Sequence, residues 1–155
     1  IPFSVVFSAS LNNMFSLRQF FDECQTTYGF IPNTVVAEAL ACEEHKIDLI
    51  VLAGFMRLLS PGFVQRWGSH IINIHPSLLP EFKGAGAIKQ ALDAGETQTG
   101  VTVHYVDEGM DTGDIIEQKR IPIYNNDSLE DLEQRIHEVE HELYPRTIKW
   151  LLTNY

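Results

Sequence analysis

Asn73, His75 and Asp111 supply a carboxamide, an imidazole and a carboxylate, and the sequence around each gives it a reason to meet the others. A carboxamide N–H can donate to an oxygen on which negative charge develops, and an imidazole can take or pass on a proton. A carboxylate can orient that imidazole and favour its charged form. Acyl or formyl transfer to an amine needs these three services. Asn73 and His75 stand two apart in Asn73-Ile74-His75-Pro76-Ser77-Leu78-Leu79-Pro80. On an extended segment their side chains therefore leave the same face. Pro76 and Pro80 stiffen the exit, as preorganised hydrogen-bond donors require. Asp111 lies in Asp107-Glu108-Gly109-Met110-Asp111-Thr112-Gly113, directly after a strand-like stretch at residues 101–106. A neighbouring strand could thus carry it to the same tip, where ligands of open α/β sheets sit.

Each group also has a plain structural reading. His75 fits an ordinary loop histidine at a strand end, and Asp111 fits turn chemistry between Gly109 and Gly113. His104 shares a strand face with Thr102 and Val106 and reads as a structural neighbour rather than a catalyst. His75, His104 and Asp111 are a plausible metal set by type, but no HxH or HxxxH spacing supports them, so no metal is expected. Asp107, Glu108, Asp111 and Asp114 miss the calcium-loop template and read as a solvated loop. Gly84-Ala85-Gly86 lacks the third glycine of a dinucleotide fingerprint and reads as a helix-entry turn. Phe55, Phe63 and Trp67 have core spacing.

Positioning falls to alternating elements. Strands are predicted at residues 5–7, 48–53 and 70–74, with helices over 17–24, over 34–45 capped by Asn33, over 61–67 with Pro61 in its first turn, and over 87–94 closed by Gly95. Two strands of alternating character follow, 100–106 and 115–123. A long helix then starts near Ser128, where Ser128 and Asp131 form a capping box, and runs to about residue 152. The order predicts an α/β fold with a doubly wound, mainly parallel sheet and a mixed edge, in a single domain over residues 1–155.

The chain has 155 residues, 11 basic against 21 acidic, for a formal net charge of -10. That balance disfavours nucleic acid and anionic membranes, which reward clustered Lys and Arg, and favours small-molecule substrates. Cys24 and Cys42 are too few for a disulfide framework and read as packing residues of a reducing compartment. The run 47–59 is broken by Asp48 and Arg57 and is shorter than the roughly 20 residues of a spanning helix. A cytoplasmic location is the expectation, as is a segment preceding Ile1, since residues 1–7 already look like an internal strand.

At these residues the chain resembles the folate-dependent formyltransferases. The likeness spans nearly its whole length: residues 48–57, the NIHPSLLP stretch, residues 100–107, the Asp111 loop and Glu140-His141-Glu142-Leu143-Tyr144-Pro145. The resemblance implies transfer of a formyl group from 10-formyltetrahydrofolate, as cosubstrate, to the amine of glycinamide ribonucleotide by a monomer or homodimer. It makes Asn73, His75 and Asp111 the catalytic trio. It places folate against Met56, Arg57, Leu58 and Leu59, against Val106, Asp107 and Glu108, and near Arg18, and gives Glu140 to the ribonucleotide. Relatives of the same fold use water or a charged tRNA as acceptor, and a non-catalytic folate-binding fragment is a further alternative. Three departures stand out. The family's opening strand and Gly-Ser-Gly-Asn phosphate loop are absent, so the domain reads as N-terminally incomplete. Residues 24–33 form a longer connection, and Asp114 replaces a common proline.

Overall fold

The structure, a computed structural model, describes residues 5–10, 13–16, 49–54 and 58–154. Its strands are β1 (Val5–Ser10), β2 (Asn13–Ser16), β3 (Leu49–Ala53), β4 (Ile71–His75), β5 (Gln98–Tyr105) and β6 (Ile115–Pro122). Its described helices are α1 (Pro61–Trp67), α2 (Ala87–Asp93) and α3 (Leu129–Asn154), with a 3-10 turn at Gly68–His70 leading into β4. The helices expected over 17–24 and 34–45 lie outside the described residues, as do Cys24 and Cys42.

Local chemistry accounts for the helix starts. Ser60 caps α1 by accepting from the Phe63 N–H at 3.4 Å, and Pro61 occupies the first turn, where its missing N–H costs nothing. Asp131 accepts from the Ser128 N–H at 2.9 Å while its own N–H donates to the Ser128 hydroxyl at 3.1 Å, the reciprocal box expected there. Gly95 closes α2 in the left-handed region with φ 70.

The six strands form one sheet in the order β2-β1-β3-β4-β5-β6. It is a mixed α/β sheet, but with less parallel pairing than the sequence suggests. Among the described strands β3 and β4 are parallel, whereas β1–β2, β1–β3, β4–β5 and β5–β6 are antiparallel. The reason is that β4 is buried along both faces, which gives it the unbroken apolar look of a parallel strand whatever its neighbour's direction. Connections set direction, and β5 and β6 are joined as a hairpin across residues 106–114.

Period-two alternation sorts the middle strands into two faces. Leu49, Val51, Ile72, Ile74, Val101 and Val103 turn to one side and meet Leu132, Ile136, Leu143, Tyr144 and Leu151 of α3. Burying an apolar side chain of this size contributes about 1.5–3 kcal/mol, so this face carries most of the core. Ile50, Leu52 and Ile71 turn to the other side and meet Phe63 of α1, with Leu59, Trp67 and Val106 alongside. That second face is apolar only as far as Ile71, and beyond it along β4 come Asn73 and His75. Among the described residues, no helix is long and apolar enough to cross a membrane.

Candidate active site

Antiparallel register brings β5 beside the two polar positions of β4: Asn73 stands opposite His104, and His75 opposite Thr102. Directly opposed side chains share a face, so all four project together. Asn73, His75, Thr102 and His104 are all buried, as is Asp111.

The loop after β5 returns Asp111 to this face. A Cβ on Gly113 would overlap the Tyr105 carbonyl, so glycine there lets the returning chain lie directly on β5. Asp111 itself adopts φ 52, a left-handed conformation that Asp tolerates better than most residues. Its carboxylate then lies with Oδ2 3.4 Å from His75 Nδ1 and Oδ1 3.5 Å from His104 Nε2. The Gly84 N–H donates to Oδ2 at 2.8 Å. Burial pushes this carboxyl up, but the His104 bond, the Gly84 N–H and the charges of His75 and His104 outweigh it, leaving Asp111 below its ordinary value of 3.8.

The imidazoles are oriented by carbonyls. His75 Nε2 lies 2.8 Å from the Phe82 carbonyl, which can only accept, so Nε2 carries a proton and Nδ1 faces the carboxylate. His104 Nδ1 lies 2.7 Å from the Tyr105 carbonyl, and its Nε2 lies 3.4 Å from Asn73 Nδ2. The same Nε2 lies 3.5 Å from Asp111 Oδ1, so it either accepts from the Asn73 amide or, protonated, donates to the carboxylate. The opposite amide atom, Asn73 Oδ1, is buried with no hydrogen-bond partner among the described residues. A buried acceptor left open is costly unless something fills it.

The loop between β4 and α2 is tied down by β5 and β6. Thr102 Oγ1 donates to the Ser77 carbonyl at 2.7 Å and accepts from the Leu79 N–H at 3.2 Å and from Gln118 Nε2 at 2.9 Å. Gln118 also donates to the Leu79 carbonyl at 2.9 Å. Gly100 permits this closeness, because a Cβ there would run into the Leu78 side chain and the Lys119 carbonyl. These ties hold the chain that delivers the Phe82 carbonyl and the Gly84 N–H to the site.

Of the residues singled out from sequence, Asn73, His75 and Asp111 come together. His104, read there as a neighbour, touches both Asn73 and Asp111, and the pairing that places it is a matter of register that sequence does not state. His75, His104 and Asp111 do converge, but at hydrogen-bond and ion-pair distances from one another. Among the described residues no group of three or more His, Cys, Asp or Glu is arranged to hold a metal ion. The acidic loop divides: Asp107, Glu108 and Asp114 are exposed, as a solvated loop should be, while Asp111 is buried.

The remaining expected contacts are more dispersed. Leu58 is exposed and Leu59 half-buried against α1. The Val106 N–H donates to the Ile71 carbonyl at 3.0 Å. Asp107 accepts from the Gly109 N–H at 3.0 Å and the Thr112 hydroxyl at 2.5 Å, bracing its own loop, and Glu108 accepts from Gln65 at 3.0 Å, tying that loop to α1. An open cleft of about 430 Å³ is lined by Gly68, Ser69, Tyr105, Val106, Asp107, Gly113 and Asp114. It shares Val106 and Asp107 with the expected folate contacts, yet none of the four chemical side chains lines it. Arg18, Met56 and Arg57 lie outside the described residues. Glu140 stands apart on α3, 4.0 Å from His137. Burial raises its carboxyl above 4.5 despite the charges of His137 and His141.

Comparison with known proteins adds independent support. Residues 22–148 match the formyl transferase family. A phosphoribosylglycinamide formyltransferase of Bacillus subtilis is 58% identical over 108 residues, covering 70% of this chain and 55% of that protein. The crystal structure of a phosphoribosylglycinamide formyltransferase from Bacillus halodurans superposes with a TM-score of 0.73 at 50% identity, over 76% of this chain and 60% of that one. A formyltetrahydrofolate deformylase from Pseudomonas syringae gives a TM-score of 0.73 at 31% identity, over 82% of this chain and 43% of that one. The chain thus spans little more than half the length of the Bacillus subtilis relative.

Proposed function

The chain belongs to the formyl transferase family, and from that membership we propose that it moves the formyl group of 10-formyltetrahydrofolate onto the amine of glycinamide ribonucleotide, a step of purine biosynthesis. The relatives named for this acceptor supply the substrate, and the buried quartet supplies the chemistry. The observation that carries the reading is the Asp111 carboxylate, held by the Gly84 N–H and shared between His75 and His104 beside an Asn73 amide with an open oxygen.

In this reading the amine nitrogen attacks the formyl carbon, a tetrahedral oxyanion forms, and the bond from that carbon to N10 of the folate breaks. The amine loses one proton and N10 gains one. The Asn73 amide contacts the reacting centre, either accepting an amine N–H through Oδ1 or, turned over, donating Nδ2–H to the oxyanion. His75 receives or relays the amine proton while Asp111 holds its orientation. His104 meets both the Asn73 amide and the Asp111 carboxylate. The folate pterin lies against residues 56–59 and 106–108 with Arg18 near its tail, and Glu140 holds the ribonucleotide. The partners are small molecules, no metal enters the reaction, and the site of action is the cytoplasm.

The test offers 10-formyl-5,8-dideazafolate with glycinamide ribonucleotide and then with water alone. Formyl loss should require the ribonucleotide. Equal loss without it would remove this acceptor and favour a water-consuming deformylase, the second reading that the likeness to the Pseudomonas syringae structure supports.

A further inference from the structure

Tyr144 is buried at 7% exposure, and burial pushes its phenol up, so the hydroxyl stays a hydrogen-bond donor. It donates to the Leu52 carbonyl at 2.6 Å and lies 3.2 Å from the Ile72 carbonyl. Those oxygens belong to β3 and β4, the parallel pair, at the level where Leu52 stands in register with Asn73. Ladder bonds in a parallel pair are slanted and slightly weaker, so a donor arriving from α3 clamps both strands at one height.

Three parts of the site depart from that clamp. The Ile72 carbonyl and the Asn73 N–H belong to one rigid peptide plane, so holding the oxygen holds the backbone from which the Asn73 side chain leaves. The Leu52 carbonyl shares its plane with Ala53, and Gly54, φ 65, follows, two residues before the segment 56–59 in sequence. Tyr144 itself sits one helical turn beyond Glu140 on α3. One hydroxyl therefore links the peptide of the amide, the root of the segment assigned to folate and the helix that bears the acid assigned to the ribonucleotide.

Resting on the function proposed above, we propose that Tyr144 is a positioning residue for formyl transfer. Its hydroxyl holds the Ile72–Asn73 peptide so that the Asn73 amide meets the reacting carbon, without touching either substrate. Tyr144→Phe preserves the packing ring and removes only the donor. Thr147→Val is the control, because Thr147 is buried on the same helix and its hydroxyl bonds Glu117 and the Leu143 carbonyl, away from β3 and β4.

The experiment measures kcat, both KM values and Tm for wild type and the two variants. Tyr144→Phe should lower kcat about tenfold with each KM within about twofold, the scale of one misplaced hydrogen-bonding group. Thr147→Val should keep kcat even if its Tm falls as far. A Tyr144→Phe kcat within about twofold of wild type, or a loss of kcat that follows Tm equally in both variants, overturns the proposal. If the wild-type chain transfers nothing to the ribonucleotide, it is the proposed function that fails. The clamp is then judged by the 15N resonance of the Asn73 side-chain amide. A shift in Tyr144→Phe and none in Thr147→Val supports it, and no shift in Tyr144→Phe overturns it.

Discussion

Ile72 and Ile74 leave β4 toward α3, whereas Asn73 and His75, one residue out of step, leave it toward His104 and Asp111. Exposure hardly separates the two sets: Ile72 is 0% exposed, His75 5%, Ile74 8% and Asn73 9%. What differs is what each buried group asks of its surroundings. An isoleucine needs only close neighbours, while a buried amide or imidazole needs a partner for every polar atom. On the α3 side the Tyr144 and Thr147 hydroxyls find carbonyl acceptors, and Thr99 Oγ1 has no partner among the described residues. On the other side Asn73 Oδ1 has no partner among the described residues, and it belongs to a side chain that also meets His104. Thr99 Oγ1 and Trp67 Nε1 are open too, so neither burial nor an open polar atom alone tells a core from a site; the gathering of Asn73, His75, His104 and Asp111 does.

The sharpest way to break this contrast is to remove chemistry without removing packing. His75→Ala and Asp111→Asn should each lower kcat/KM by about 10²- to 10⁴-fold, the range for general acid–base groups, with little change in the urea midpoint. Asparagine is chosen at 111 because it, like Asp, tolerates the observed φ of 52. Near-normal turnover in either variant would show that transfer does not run through this face. The mirror experiment is Ile72→Ala, which should cost about 2–5 kcal/mol of stability through lost burial and a residual cavity. Its turnover per folded molecule should stay within a few-fold of wild type. A collapse of turnover in protein shown to be folded would mean that apolar packing on the α3 side, and not only the Tyr144 hydroxyl, sets the site.

The smallest effect sharpens the comparison through pH. Glu140 holds its proton more tightly when folded than its ordinary value of 4.5. Its contribution to stability is therefore complete below about that value and is lost as pH rises through the raised folded value. Glu140→Gln should accordingly raise the urea midpoint modestly at pH 7, with the gain vanishing below pH 4.5, while weakening ribonucleotide binding. A lower midpoint at pH 7 would show that His137 and His141 more than offset its burial. Asp111 has the opposite sign: it is held below 3.8, so its contribution is present above that value and lost as pH falls through the lower folded one.

Much of this was legible in the chain because its cues are local. Pro61 after Ser60, the Ser128 and Asp131 box, and Gly95 after an amphipathic turn announce helix ends through contacts spanning a few residues. The i, i+2 spacing of Asn73 and His75 gave their shared face from strand geometry alone. Asp111 was legible as a candidate through its loop, but not as the one buried acid among the exposed Asp107, Glu108 and Asp114. That distinction depends on Gly113 lying against the Tyr105 carbonyl, a contact between chain segments that no local pattern encodes.

Every described strand but β2, the helix caps and the residue types suited to acyl transfer were legible in the amino-acid order itself, since propensity, periodicity and side-chain chemistry act over one or two turns of chain; the short β2 (Asn13–Ser16) was not expected. Strand direction, the register that sets His104 against Asn73, the Phe82 carbonyl on His75 and the Tyr144 hydroxyl on two strands at once were decided only in three dimensions. Each of these joins segments whose separation along the chain carries no trace of their distance in space, and whose pairing is fixed by the packing of the whole sheet.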